Sequence, residues 1–511
     1  MKNSFLPLSL LAGSMTIPVS AGENPNIVYI LADDMGYGDV NLNIPGLNAF
    51  NNPYIKTPNL AKLAGESIVF THHYASSPVC SPSRAGLLTG RTPTRCNITL
   101  WIGDRVNEDN EKPRQLLMDE EVTIAEICKD AGYQTAIFGK WHLNGADWEK
   151  KENWEAEQGS FPNQQGFDYG MVSKENPHLT RHLESNSQKN PGDYFMLDGT
   201  PVGTIKGYSS EILTDSALSW LAGKRDASKP FFLYLPYDAV HERIYNPDIF
   251  DGMYNTGDPN KDVYYANVTY LDYQIGRFLT ALQQMGLSDN TIVFFSSDNG
   301  PEVLREYWGC YRSYGTSYPL YGHKRQVYEG GIRVPGMVRW PGKIMPRISG
   351  EPNSTMDIFP TLCELLNQDL PPNRKIDGES ILYLLLENKP IERKNAMYWQ
   401  FEFTGNWELH GEGYDRRFHG EDRLAEMKNF NVAIRRGDYV MRGIQKERFL
   451  QPAEFVLYDV VNDIEENNEL SEKVPEVFEN MKKELLQMYL EVNEERIKTA
   501  EKVAMMDDRK K

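Results

Sequence analysis

The chain has 511 residues, 40% of them hydrophobic and 25% charged, which describes a folded globular protein too long for one ordinary core. With 54 Lys and Arg against 72 Asp and Glu, the formal net charge is −18, which argues against non-specific nucleic-acid binding. The same charge repels polyanions, so any anion site must be locally basic.

Residues 1–21 read as an export signal. Lys2 precedes the apolar run Phe5-Leu6-Pro7-Leu8-Ser9-Leu10-Leu11, and Val19-Ser20-Ala21 supplies small residues for cleavage near Ala21. The run is too short to span a membrane, so the expectation is a periplasmic or secreted protein with no membrane span.

A strand follows at once over Ile27–Ala32 and ends in Asp33-Asp34. Three further apolar, β-rich runs end in polar clusters. Thr135–Phe138 precedes Gly139-Lys140-Trp141-His142, Phe231–Leu235 precedes a loop holding His241, and Thr291–Phe295 precedes Ser296-Ser297-Asp298-Asn299-Gly300. Runs without alternation are buried on both faces, as in parallel sheets. Amphipathic segments lie between them at Asn59–Ser67, Val122–Ala131, Ser210–Lys224 and Val263–Met285. The order predicts an α/β domain over residues 22–385, a large mostly parallel sheet sandwiched by helices, with ligands beyond the carboxyl ends of its strands. A further helix starts at Cys80-Ser81-Pro82-Ser83-Arg84, with Pro82 in its first turn. Cys80 would then sit where helix N–H groups and Arg84 favour negative charge.

Beyond residue 385 the texture changes. Ala396–Phe403, Asn431–Arg435, Asp438–Arg442 and Phe455–Val460 read as short strands, followed by a charged helix from Val474 to about Lys498 and a frayed end over Asp507–Lys511. The expectation is a smaller α+β domain over 386–511, an antiparallel sheet with a packed helix.

The five cysteines, Cys80, Cys96, Cys128, Cys310 and Cys363, are odd in number and widely spaced, which argues against a disulfide framework. No C-x-x-C occurs, which argues against structural zinc. Asp33-Asp34 and Asp298-Asn299, at the ends of two buried strands, offer an all-oxygen donor set that suits Ca²⁺ or Mg²⁺. Either pair alone is also ordinary turn chemistry.

Taken in order from Asn26 to about Leu470, these segments resemble the signatures of the type I, formylglycine-dependent sulfatases of the alkaline-phosphatase-like superfamily. The resemblance is carried by Asn26–Asp39, by Cys80–Arg84 with Leu87-Leu88-Thr89-Gly90, and by Gly139–His142. Ser297–Gly300, Gly322-His323-Lys324 with Tyr328–Pro335, and Leu457-Tyr458-Asp459 with Asp463 and Glu466 complete it. It implies hydrolysis of sulfuric esters, with Cys80 converted to formylglycine (3-oxoalanine) by a formylglycine-generating enzyme and its hydrate acting as nucleophile. It implies Ca²⁺, less readily Mg²⁺, held by Asp33, Asp34, Asp298, Asn299 and the modified Cys80. Arg84 matches the arginine that steadies the hydrate, and Lys140 and Lys324 match sulfate-binding lysines. His142 matches the histidine near the second hydroxyl, and His241 the one facing the leaving-group oxygen.

The chemistry is coherent on its own terms. Attack at sulfur spreads negative charge over the sulfate oxygens, which lysines and a divalent cation stabilise in a water-poor site. A geminal diol that has transferred one oxygen to sulfur needs a base at the other hydroxyl to expel sulfate, and the leaving alkoxide needs an acid. The segment Tyr237-Asp238-Ala239-Val240-His241-Glu242 lacks the Pro-His dipeptide common in the family, which leaves the acid role of His241 less anchored than that of the nucleophile.

Three segments exceed what a minimal scaffold needs and are candidates for glycan contact. They hold Trp101 and Arg105; His178, Arg181 and His182; and His410, Arg416, Arg417 and His419. Solvated surface is the alternative reading of each. With Tyr318–Lys324, the chain resembles galactose- or N-acetylgalactosamine-directed members, so a sulfated oligosaccharide is the expected substrate. A formylglycine-dependent phosphonate or phosphate ester hydrolase is the rival enzyme, and an inactive glycan-binding homologue the rival of another class.

Overall fold

The computed structural model describes residues 24–102, 115–144, 160–173, 195–198, 200–202, 205, 207–241, 244–303, 313–401, 430–446 and 451–508. The strands are β1 (Asn26–Ala32), β2 (Ile68–Phe70), β3 (His73–Tyr74), β4 (Gln134–Lys140), β5 (Tyr169–Ser173), β6 (Phe195–Leu197), β7 (Thr200–Pro201), β8 (Phe231–Pro236) and β9 (Thr291–Ser297). They continue with β10 (Gly336–Arg339), β11 (Arg347–Ser349), β12 (Asn353–Ser354), β13 (Met397–Gln400), β14 (Val432–Arg436), β15 (Tyr439–Ile444) and β16 (Glu454–Asp459). The α-helices are α1 (Pro58–Gly65), α2 (Cys80–Thr89), α3 (Ile124–Asp130), α4 (Ser209–Gly223), α5 (Pro259–Gln284), α6 (Glu329–Ile332), α7 (Ile358–Leu365), α8 (Leu382–Glu387) and α9 (Pro475–Asp508).

Ten strands form the main sheet in the order β11-β2-β10-β9-β1-β8-β4-β5-β6-β7. Its centre, β9-β1-β8-β4-β5, is parallel throughout, and antiparallel neighbours flank it on both sides. The absence of alternation in β1 has a direct cause, because both of its faces are covered. Val28, Ile30 and Ala32 pack with Leu60 of α1, Leu213 and Trp220 of α4 and Leu271 of α5. Ile27, Tyr29 and Leu31 pack on the other face with Leu87 and Leu88 of α2, Ile124 and Ile127 of α3 and Leu362 of α7. Each fully buried side chain of this kind contributes about 1.5–3 kcal/mol, so neither face tolerates polar residues.

The second sheet is a four-stranded antiparallel meander, β13-β14-β15-β16. One face packs on Met481, Leu485, Met488 and Val492 of α9, and the other places Trp399 and Ala433 against Tyr74, Val79 and Tyr328 of the first unit. The expected division at 385/386 falls inside α8, and the second sheet begins at Met397.

Helix α2 begins at Cys80, which places Pro82 in its first turn as expected, and it ends at Gly90 in the left-handed region. One local expectation requires correction. Helix α9 continues past Lys498 to Asp508, where fraying was expected from Asp507. Tertiary contacts carry it on: Thr499 Oγ1 donates to the Arg95 carbonyl at 3.0 Å, and Val503 packs on Leu116 and Met118.

Helix α9 also clasps the segment that follows α2. Arg91 binds Glu121 at 2.6 Å and Glu495, and Arg95 binds Asp377 at 2.9 Å, Glu491 at 2.8 Å and Glu495 at 2.9 Å. The Arg95 and Asp377 side chains are both buried, and removing Arg95 leaves the Asp377 carboxylate without this counter-charge. Arg95→Ala is therefore expected to lower unfolding free energy by about 3–5 kcal/mol in denaturant titration. A loss below about 1 kcal/mol, the worth of an exposed pair, would contradict it.

Candidate active site

The parallel strands end on one edge, and backbone bonds tie those ends together. Asp298 N donates to the Ala32 carbonyl at 3.0 Å, Asp33 N to that of Ala239 at 2.9 Å, and Val240 N to that of Asp33 at 2.8 Å. Asp34 has a φ of 62°, a left-handed turn that Asp tolerates, and its N–H donates to Asp298 Oδ1 at 3.1 Å. Gly139 is required just before Lys140, because a Cβ there would lie 1.8 Å from the Pro236 carbonyl oxygen. These contacts bring Asp33, Asp34, Asp298, Lys140 and the His241 loop to one place.

Three carboxylates and three cations are buried there together. Lys140 Nζ lies 2.6 Å from Asp33 Oδ2, Lys324 Nζ 2.6 Å from Asp34 Oδ2, and Arg84 Nη2 2.7 Å from Asp298 Oδ2. Arg84 Nη1 also donates to the Lys140 carbonyl at 2.8 Å, which fixes the end of β4. Burial alone would raise the Asp33 pKa, but Lys140, then His241, Arg84 and Lys324, hold it well below the usual range. Burial works against the charge on Lys140, but the surrounding negative groups, Asp33 first, together raise its pKa, so the lysine stays protonated.

Cys80 Sγ lies 3.4 Å from Asp33 Oδ1 and 4.0 Å from Asp34 Oδ1. Burial, and then the Asp33 charge, push its thiol well above the ordinary value. The expected support for a thiolate from the helix start and Arg84 is thus overridden, because the arginine's closest bonds go to Asp298 and the Lys140 carbonyl. An unmodified Cys80 is a poor nucleophile at neutral pH.

His241 Nε2 lies 3.6 Å from Asp34 Oδ2. Ligand atoms of Asp33, Asp34, Cys80 and His241 all fall within 4.8 Å of one another. His142 has a φ of 57°, and its Nε2 lies 2.6 Å from the Ile102 carbonyl oxygen. A carbonyl only accepts, so Nε2 carries the proton and Nδ1 is the basic nitrogen of the neutral ring.

Three supporting residues escaped the sequence reading. Ser173, at the carboxyl end of β5, donates from Oγ to Asp238 Oδ1 at 2.8 Å. Asp238 is fully buried, and burial raises its pKa to about 7 against the pull of Lys140. Glu302 is held at about 2 despite burial, by Arg325 and then Lys324. The available signal was positional: Ser173 and Asp238 follow parallel strands, and Glu302 follows Asp298-Asn299 by a few residues. Of the glycan-contact candidates, Trp101 is half-buried and packs against the apolar cluster that includes Val79, Tyr321 and Trp399. Arg105, His178, Arg181, His182, His410, Arg416, Arg417 and His419 lie outside the described residues, as do residues 1–21. The described cysteines, Cys80, Cys96, Cys128 and Cys363, are free thiols.

The donor set fits a hard cation. Asn299 Nδ2 donates to Asp34 Oδ1 at 2.7 Å and to the Gly300 carbonyl at 2.9 Å, which assigns the amide orientation. Asn299 Oδ1 is then buried with no hydrogen-bond donor among the described residues, and a cation would satisfy it.

The family model described as Sulfatase matches residues 25–368. N-acetylgalactosamine-6-sulfatase of Canis lupus familiaris is 31% identical over 418 residues, covering 77% of this chain and 75% of that protein. The crystal structure of Ps i-CgsB with k-i-k-neocarrahexaose superposes with a TM-score of 0.71 at 23% identity, covering 91% of this chain and 93% of that one. The phosphonate monoester hydrolase of Agrobacterium radiobacter shares the fold with a TM-score of 0.61 at 21% identity, covering 92% and 96%. Among the described residues, no helix is long and apolar enough to cross a membrane.

Adding Ca²⁺ to the purified protein is expected to raise its thermal midpoint, since a ligand at a hundredfold excess over Kd stabilises by about 2.7 kcal/mol. Asn299→Leu is expected to move the response to higher Ca²⁺ concentration. An unchanged midpoint in both proteins would remove the cation assignment.

Proposed function

The chain belongs to the sulfatase family, and we propose that it removes O-sulfate from a sulfated glycan of galactose or N-acetylgalactosamine type. The observation that carries this reading is the placement of Lys140 and Lys324 beside Cys80 and the three buried aspartates. That arrangement is a compact anion cradle within a protein of net charge −18.

Cys80, if converted to formylglycine, would supply a hydrated aldehyde as the nucleophile toward sulfur. Asp33, Asp34, Asp298 and Asn299 would hold Ca²⁺, which supplies Lewis-acid stabilisation of the sulfate oxygens. Lys140 and Lys324, already in place, meet the charge that develops on those oxygens. Arg84 keeps Asp298 and the end of β4 in register with α2. His142 offers Nδ1 as the base that accepts a proton at residue 80 when sulfate is expelled, because its Nε2 proton is committed to Ile102. His241 donates a proton to the leaving sugar oxygen.

The galactose-type substrate is supported by the N-acetylgalactosamine-6-sulfatase likeness and by the Tyr318–Lys324 segment. Residues 1–21 support action outside the cytoplasm, after cleavage near Ala21. Conversion of Cys80 requires a formylglycine-generating enzyme in the host.

Screening sulfated mono- and disaccharides for sulfate release tests the substrate, and matched aryl sulfate, phosphate and phosphonate esters test the chemistry. Faster phosphonate than sulfate release would replace the reading. Mass analysis of the Cys80 peptide is expected to show aldehyde or hydrate, and an intact thiol in active protein would remove the nucleophile assignment. His241→Ala is expected to cost about 10²–10⁴-fold on sugar sulfates and much less on activated aryl sulfates. Equal losses on both would exclude His241 as the acid.

A further inference from the structure

We propose that Arg442 and Glu466, which lie in the C-terminal unit, are positioning residues for Lys324, so that the second sheet sets the geometry of the sulfate cradle. The inference rests on the sulfatase reading of Lys324 and extends it to residues with no place in the chemistry.

Lys324 lies in the loop between Ser317 and α6. Its outgoing limb is tied to the first unit: Lys324 N donates to the Pro301 carbonyl at 3.1 Å and Arg325 N to that of Pro78 at 2.9 Å. The return limb is tied to the second unit. Arg442 Nε donates to the Val327 carbonyl at 2.9 Å, and its guanidinium lies 5.1 Å from the centre of the Tyr328 ring. Glu329 N donates to Glu466 Oε1 at 3.1 Å. Glu466 closes the arrangement by accepting from both terminal nitrogens of Arg442. Arg442 and Glu329 are fully buried, and Glu466 is 4% exposed.

Two features separate this arrangement from generic packing. Glu466 holds a φ of 54°, uncommon for a residue other than glycine, and that backbone aims its carboxylate at donors from two different segments. A buried ion pair is also weak evidence for stability, since a well-packed apolar pair does as well. What this pair supplies is two directional bonds to consecutive stations of the loop, Val327 and Glu329, three and five residues from Lys324. A shift of about 1 Å in a charge aimed at a reacting group can cost about 10²-fold, so remote anchors of this kind act on the chemistry.

The test uses the calcium-loaded, formylglycine-containing enzyme. Glu466→Gln keeps shape and an acceptor for Glu329 N but removes the charge that grips Arg442. Arg442→Lys keeps charge but loses the donor to Val327. Each is expected to raise KM for an activated aryl sulfate and the inhibition constant of inorganic sulfate together, by about tenfold. The ratio of rates on good and poor leaving groups is expected to stay unchanged, because His241 is untouched. In a Lys324→Ala background, neither substitution is expected to raise the sulfate constant further. A sulfate constant equal to wild type in the folded variants, or the same rise in the Lys324→Ala background, would overturn the proposal. Should Glu466→Gln not fold, Arg442→Lys carries the same comparison. If wild type releases no sulfate from any ester, the sulfatase reading falls, while sulfate affinity measured by calorimetry still decides whether these residues position Lys324.

Discussion

The structure depends on one electrostatic constraint: three carboxylates and three cations share a buried volume where none is viable alone. Unpaired, each charge would cost several kcal/mol to desolvate. Paired, they form a cluster whose members come from β1, α2, β4, the loop after β9 and the Lys324 loop. The parallel sheet earns its functional value by delivering these groups to a common edge, and the backbone bonds among Asp33, Ala239, Val240 and Asp298 hold that edge rigid. The cluster is neutral as a set, but its parts are not equivalent. Asp33 and Asp34 are each paired with a lysine, while Asp298 is paired with Arg84.

Much of this was legible in the sequence because it is encoded locally. Non-alternating runs such as Ile27–Leu31 report two covered faces, and polar residues at their ends report the ligand edge. The four C-terminal strands were legible for the same reason, each being a short β-rich run between turns. What escaped depended on partners distant in the chain. Ser173 becomes informative only when β5 pairs with β4, and Asp238 only when β8 places it beside Ser173. The ionisation of Cys80 is not legible from its helix start, because the burial and the Asp33 charge that raise its pKa depend on the folded surroundings. The last turns of α9 are not legible in their own composition, because contacts to Arg95 and Leu116 stabilise them.

The two units are chemically continuous as well as adjacent. Arg435 reaches Tyr74, whose hydroxyl donates to Glu329 at 2.6 Å, and Arg333, just past α6, completes that group. Glu329 is therefore gripped from both units, at the foot of the loop that carries Lys324. A second domain attached by an apolar seam alone would be free to slide by fractions of an ångström, and directional bonds to buried charges remove that freedom.

The clasp of α9 on Arg91 and Arg95 carries a consequence in time. Glu491 and Glu495, which complete it, lie far downstream of Cys80 in the chain and are synthesised well after it. At ordinary elongation rates they emerge about 20–80 s after Cys80. During that interval the segment following the Cys80 helix lacks its outer counter-charges, and the second sheet that covers Val79 is not yet made. The order of synthesis thus leaves an interval in which this segment is held by first-unit contacts alone, and the arrival of α9 ends it.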